Sequence, residues 1–127
     1  MIEIDSRSPL PVYEQIVLQI RKAISEELLA VGDPLPPIRQ LALDLEVNPA
    51  TVAKAYQLLE KDRIIHTAGR RGTFVHARAK SNLEETLHKK ASEQIRELIT
   101  YWKGRGLSEP ELLEIFHRNL KSHHEKT

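Results

Sequence analysis

Asn48-Pro49-Ala50-Thr51-Val52 is the stretch whose reading decides the fold. Proline suits the first turn of a helix, because its φ is preset and its missing N–H would have no partner there. It also pushes the residue before it toward the extended region, where an N-cap must sit. Asn48 therefore caps a helix predicted to run to about Lys61, with Val52, Ala55, Tyr56 and Leu59 on one apolar face and Thr51, Lys54 and Gln57 on another. Its first-turn N–H groups are expected to be free to meet a phosphate, alongside the Thr51 hydroxyl. Upstream, Ile38, Leu41, Ala42 and Leu45 predict a shorter helix over about 38–45 that points Arg39, Gln40 and Asp44 elsewhere. Only Glu46-Val47 joins the two, too short a turn for hairpin packing, so the helices cross steeply with Val47 in the angle. A short helix followed by one with a polar, positively charged leading end is the pattern of a helix-turn-helix.

Toward the N-terminus, Ser8-Pro9-Leu10-Pro11 delays the first helix to about Pro11, after which Val12, Tyr13, Ile16, Ile20, Ile24 and Leu28 recur at helical spacing. Glu14, Arg21, Lys22, Ser25 and Glu26 take the opposite, solvent-facing side, and Gly32 is expected to end the helix. Asp33-Pro34-Leu35-Pro36-Pro37 is a stiff connector, with Leu35 the candidate for a very short strand. Downstream, the β-branched run Arg63 to Thr67, the basic turn Ala68-Gly69-Arg70-Arg71-Gly72 and the β-formers Thr73-Phe74-Val75 make a hairpin with arginines at its tip, a wing over about 64–75.

A further amphipathic helix is predicted from Ser81 to Lys103, with Leu83, Leu87, Ala91, Ile95, Leu98, Ile99 and Trp102 on one stripe, until Gly104-Arg105-Gly106 breaks it. The last helix begins at a capping box, Ser108 with Glu111, flanked by the staple pair Leu107 and Leu112. Leu112, Leu113, Ile115, Phe116 and Leu120 give it an apolar face, and Lys121 to Thr127 is expected to fray. Two helices this small, with this much apolar surface, have little to bury against each other and should pack on a second copy or on the first helix. The expected architecture is mainly α with a small β wing: a winged helix-turn-helix over residues 1–78, followed by a two-helix dimerisation segment over 81–127. Leu87, Ile95, Leu98, Trp102, Leu112 and Phe116 mark the surface for a homodimer.

The bulk composition narrows the function. The 127 residues suffice for one small domain with an appended oligomerisation element, and the absence of cysteine removes disulfides and thiolate metal sites. The N-terminus is acidic where a signal peptide would be basic, and no apolar run reaches membrane-spanning length, so a soluble cytoplasmic protein is expected. Net charge is only +1, but from Pro36 to Lys80 eight basic residues face four acids, whereas from Ser81 onward the two balance at eight each. A nucleic-acid footprint therefore belongs to the first part of the chain.

No glycine-rich phosphate loop and no nucleophile with a neighbouring base occurs, and the acid pairs Glu26-Glu27 and Glu84-Glu85 sit on predicted helix surfaces, which argues against an enzyme. His117, His123 and His124 cluster near the end without i,i+4 spacing, and His66, His76 and His88 are scattered; they read as solvated residues, with no metal and no cofactor expected. About 45 tail residues do not enclose a metabolite pocket of several hundred Å3, which argues against a small-molecule effector other than one bound between subunits.

Five segments carry a specific likeness: Pro11-Val12-Tyr13-Glu14-Gln15-Ile16, Leu35-Pro36-Pro37-Ile38-Arg39-Gln40-Leu41-Ala42, the run Val47 to Tyr56, Leu59-Glu60 and Gly72-Thr73-Phe74-Val75. Together they resemble the GntR family of bacterial transcription regulators, and the Asn-Pro-x-Thr-Val-x-Lys-Ala-Tyr run with the short tail resembles its YtrA subfamily. The resemblance implies a homodimer on a palindromic double-stranded operator, usually a repressor. It assigns DNA contacts to Arg39, to Asn48, Ala50, Thr51 and Lys54, and to the wing around Arg70 and Arg71. Three positions depart from the family pattern. Pro49 stands where many members carry an arginine, Arg70 where the wing commonly has glycine, and Arg63 where a glycine often ends the helix. A left-handed backbone at Arg63 would cost on the order of 1 kcal/mol.

Each of these residues has a plainer alternative. Arg39 grips phosphate or guanine bidentately, or pairs with Asp44 on the surface. Lys54 reaches a phosphate or is simply solvated; Thr51 bonds a phosphate or merely starts a helix; Ala50 offers a methyl to a thymine. Arg70 and Arg71 enter a minor groove or protect a hairpin edge. A winged helix that binds protein instead of DNA is the rival from another class.

Overall fold

The computed structural model describes residues 2–126, with side chains as far as His123. The elements are α1 (Val12–Ser25), β1 (Pro34–Leu35), α2 (Ile38–Leu45), α3 (Pro49–Lys61), β2 (Ile65–Thr67), a 3-10 turn at Gly69–Arg71, β3 (Thr73–Val75), α4 (Ala79–Gly104) and α5 (Glu109–Lys126). They divide into a first compact unit that ends at Thr86 and a second that begins at Leu87.

In the first unit α3 packs against both α1 and α2, and the three strands form an antiparallel sheet in the order β1-β3-β2. Register is set by Leu35 and Thr67 lying on either side of Thr73, and by Ile65 opposite Val75. That register turns Ile65, Val75 and Leu35 inward against Ile16, Ile20 and Ile24 of α1 and Val52, Ala55 and Leu59 of α3. Burial of side chains this size contributes roughly 1.5–3 kcal/mol each, and it holds the two helices and the sheet in one body.

The two central helices have the bounds read from the sequence, and each junction has a visible cause. Glu46 caps α2 in the left-handed conformation, at φ 57°, and the Val47 amide returns to the Ala42 carbonyl at 3.0 Å, which swings the half-buried Val47 into the core. Asn48 is extended, and its Oδ1 accepts the Ala50 amide at 2.8 Å.

Three expectations need correction. First, α1 stops at Ser25 instead of continuing toward Gly32. Glu27 turns left-handed, at φ 62°, and the Leu28 and Leu29 amides both return to the Ala23 carbonyl. Leu28 is consequently 68% exposed and Leu29 takes its place in the core. Second, α4 starts at Ala79, ahead of Ser81, because Ala79 is itself a buried core residue. Third, α5 remains helical through Lys126 where fraying was expected from Lys121. That segment contains no glycine or proline, so nothing in it breaks a helix. The His124 side chain lies outside the described residues.

In the second unit α4 and α5 meet at the Gly104-Arg105-Gly106 corner, where Gly106 has φ 109°. The capping box is formed: Ser108 Oγ accepts the Glu111 amide at 3.3 Å, and the Glu111 carboxylate accepts the Ser108 amide at 3.2 Å. No helix among the described residues is long and apolar enough to cross a membrane.

Candidate nucleic-acid interface

The head of α3 is organised by its cap. Asn48 contributes twice: its side chain takes the Ala50 amide, and its carbonyl takes the Thr51 and Val52 amides at 2.9 and 3.4 Å. Pro49 has no N–H to offer. The free first-turn donors expected from the sequence are therefore already engaged, and the polar side chains left at this helix start are the half-buried Thr51 and the exposed Asn48. The helix is fixed from the other side by Tyr56, which is 4% exposed and donates its hydroxyl to the Pro36 carbonyl at 2.7 Å. Burial pushes the Tyr56 phenol up to about 12, so it remains a neutral donor over the physiological range.

Arg39 projects from α2 into solvent. The surface pair with Asp44 does not form, because Asp44 accepts Nε2 of Gln40 at 2.8 Å, one turn along the same helix. Lys54 is neither a plain solvated lysine nor free to wander: its Nζ lies 3.9 Å from the centre of the Tyr13 ring, a cation–π contact with the start of α1. Ala50 is exposed beside it on the leading turn.

At the wing, Gly69 at φ 55° and Gly72 at φ 112° supply the two positive-φ corners, so Arg70 and Arg71 sit between them in ordinary backbone. The Ala68 amide donates to the Gly72 carbonyl at 2.8 Å and closes the tip, leaving both arginines exposed. Gly69 thereby supplies the positive φ that Arg70 could not adopt cheaply. At the wing's base, Arg63 adopts φ 57°, the left-handed corner a glycine would take without strain.

The first unit is a helix-turn-helix with a capped second helix, a three-stranded sheet and a two-arginine wing, and residues 12–75 match the family model for bacterial regulatory proteins of the gntR family. The chain belongs to the GntR family. It is similar to the HTH-type transcriptional repressor YtrA of Bacillus subtilis (strain 168), 42% identical over 99 residues that make up 78% of this chain and 76% of that one. Among solved structures it resembles YtrA from Sulfolobus acidocaldarius, a GntR-family transcription factor, at 37% identity and TM-score 0.58, covering 72% of this chain and 97% of that one. It also resembles a transcriptional antiterminator from Listeria monocytogenes EGD-e, at 33% identity and TM-score 0.62, over 94% and 89%. GntR proteins are regulators of transcription rather than enzymes, in keeping with a sequence that offers no catalytic constellation.

Some participants were not visible in the sequence. Tyr13 reads as one more apolar-face residue, yet it seats Lys54; the two are far apart in the chain and no local pattern links them. Arg21 reads as a solvent-side residue of α1, but its side chain is only 14% exposed and its guanidinium contacts Asp62. Gln15 is buried, its amide donating to the Asp5 and Leu10 carbonyls while its oxygen accepts the Asp5 amide, and Gln19 clasps the Glu3 backbone in the same reciprocal way. The four-residue spacing of these glutamines beside an apolar stripe is the signal that could have found the N-terminal clasp.

Proposed function

We propose that this GntR regulator is a homodimeric repressor that binds a palindromic operator. In this reading residues 1–78 form the DNA-binding domain and the helices of 81–127 the dimerisation segment. The observation that carries it is a charge imbalance: Arg39, Arg70 and Arg71 are exposed, and none of them forms an ion pair among the described residues. Of the acids in this part of the chain, Asp62 pairs with Arg21, while Asp44 and Glu60 accept hydrogen bonds from Gln40 and Thr67. Unneutralised guanidinium groups around a helix-turn-helix suit a polyanion with a readable groove.

Each residue then has a distinct role. Arg39 grips phosphate or a guanine edge, and Lys54, seated on Tyr13, offers its remaining N–H donors to a phosphate. The Thr51 hydroxyl adds an uncharged phosphate contact, Ala50 presents a methyl, and Asn48 sets the helix start. Arg70 and Arg71 reach a minor groove from the wing. The exposed apolar residues Leu87, Ile95, Leu98, Trp102 and Phe116, with half-buried Leu112, hold the second copy, so that two recognition helices meet successive major grooves roughly 34 Å apart. The protein acts in the cytoplasm on the nucleoid, and any effector binds between subunits.

Selecting genomic fragments on the purified chain and titrating the enriched duplex by fluorescence anisotropy tests this reading. Affinity should fall steeply with added salt. Arg39→Ala should lose about fivefold or more in affinity at an unchanged melting temperature. A folded Arg39→Ala protein that binds normally removes Arg39 from the interface, and a wild-type protein that retains no fragment at low salt overturns DNA binding.

A further inference from the structure

The first two turns of α4 are built into the winged-helix unit by a polar joint around Arg21. Its Nη1 meets Asp62 Oδ2, at the C-cap of α3, at 3.4 Å. Its Nη2 donates to Thr86 Oγ1 at 2.9 Å and lies 3.4 Å from the Leu83 carbonyl. One planar guanidinium thus spans three helices, with its two terminal nitrogens aimed at different partners, a geometry the single ammonium of lysine does not reproduce.

Two more contacts surround it, and both use residues with left-handed backbone. Asn82 Nδ2 donates to the Arg63 carbonyl at 2.8 Å, and Lys80 pairs with Glu27. Arg63 and Glu27 are two of the three non-glycine residues with positive φ among those described. Ala79 and Leu83 of the same turns are buried in the core. The C-cap of the recognition helix and the second turn of α4 thus share one side chain.

Resting on the dimeric reading above, we propose that Arg21, with Asp62 and Thr86, is a positioning element that fixes the direction of α4 against the recognition helix and thereby sets the half-site spacing the dimer accepts. Arg21 touches no base in this role. It acts through α4, which runs unbroken from Ala79 to Gly104 and carries Leu87, Ile95, Leu98 and Trp102 of the dimerisation surface. Loosening the root of α4 leaves each winged helix able to bind its half-site but relaxes the distance between the two.

The test uses the full chain and a random-sequence duplex library. The enriched operator is resynthesised with one or two base pairs inserted or removed between half-sites, and a single half-site duplex serves as reference. Since each added pair rotates and translates one half-site relative to the other, the wild type should prefer its own spacing by about tenfold. Thr86→Val removes the hydroxyl at constant shape and Arg21→Lys keeps the charge without the fork. Both should compress the preference to about threefold or less, with cooperative unfolding retained and single half-site affinity unchanged. Thr86→Ser restores the hydroxyl and should restore the preference. Folded Thr86→Val and Arg21→Lys proteins that keep the full preference overturn the proposal, as does a wild type indifferent to spacing. A wild type that enriches no duplex refutes the DNA-binding reading itself.

Discussion

The two units spend similar apolar side chains in opposite ways. In the first, Ile16, Ile20, Ile24, Val52, Leu59, Ile64, Ile65 and Val75 are all below 2% exposed. In the second, none of residues 87–123 is buried; Leu87, Ile95, Leu98, Ile99, Trp102 and Phe116 are all at least 41% exposed. The first closes a core from three helices and a sheet. The second is held by local devices: the capping box, and Lys103 Nζ on Glu109 Oε1 at 2.8 Å, a bond that with the lysine charge holds the Glu109 carboxyl below its ordinary range. Such exposed pairs contribute little on their own. Helices held by local contacts alone are marginal in water, and the difference is that the second unit closes no core of its own among the described residues, the lack that the second copy in the function proposed above would supply.

The largest effect should come from breaking that completion. Ile99→Asp with Trp102→Asp places two charges on the stripe, and a charge in an apolar interface costs several kcal/mol. Light scattering should then report a monomer at micromolar concentration, and circular dichroism should show reduced helicity. The first unit should still melt cooperatively. A double variant that remains dimeric would place the interface on another surface.

A smaller effect sharpens the contrast from the other side. Tyr56 is the buried phenol that ties α3 to the linker before α2, so Tyr56→Phe should cost about 0.5–1.5 kcal/mol in the first unit alone. The sign with pH follows from burial. The folded phenol titrates at about 12 against an ordinary 10.0, which favours its neutral form. Its contribution is complete below pH 10 and is lost as pH rises from 10 through 12. Urea titrations across that window should show a slope in the wild type that is shallower in Tyr56→Phe. Equal slopes would mean that other groups dominate alkaline unfolding.

This contrast also explains what could be read from the sequence. The bounds of α2 and α3 and the Asn48 cap are visible because local rules and the core agree there, apolar spacing and proline chemistry pointing the same way. The exit of α1 is not legible because nothing local announces it: Glu26 and Glu27 are good helix formers, and the turn places Leu29 in the core. The candidate site divides along the same line. Arg39, Arg70 and Arg71 stand out as cations beside turn residues, whereas the Tyr13 seat of Lys54 and the Arg21 joint arise from pairs remote in the chain, which periodicity does not relate.

The smallest predicted effect concerns backbone strain, and again the units differ. The second unit turns its corner on a glycine, Gly106. The first places Glu27, Glu46 and Arg63 at φ 62°, 57° and 57°. A left-handed residue with a Cβ costs on the order of 1–2 kcal/mol, tolerated where surrounding contacts over-determine the backbone. At Arg63 those contacts are the Ile64 amide on the Leu59 carbonyl at 2.9 Å and Asn82 on the Arg63 carbonyl at 2.8 Å, both made by backbone atoms of the segment or by a neighbour's side chain. The Arg63 side chain itself is exposed. Glycine keeps both bonds and removes the strain, while its freer unfolded chain returns roughly 0.4–1 kcal/mol of the gain. Arg63→Gly should therefore stabilise by less than about 1 kcal/mol, raising the first unit's melting temperature by about 2–4 °C without altering the dimer. A lower melting temperature would show that the arginine side chain contributes more than the strain it imposes.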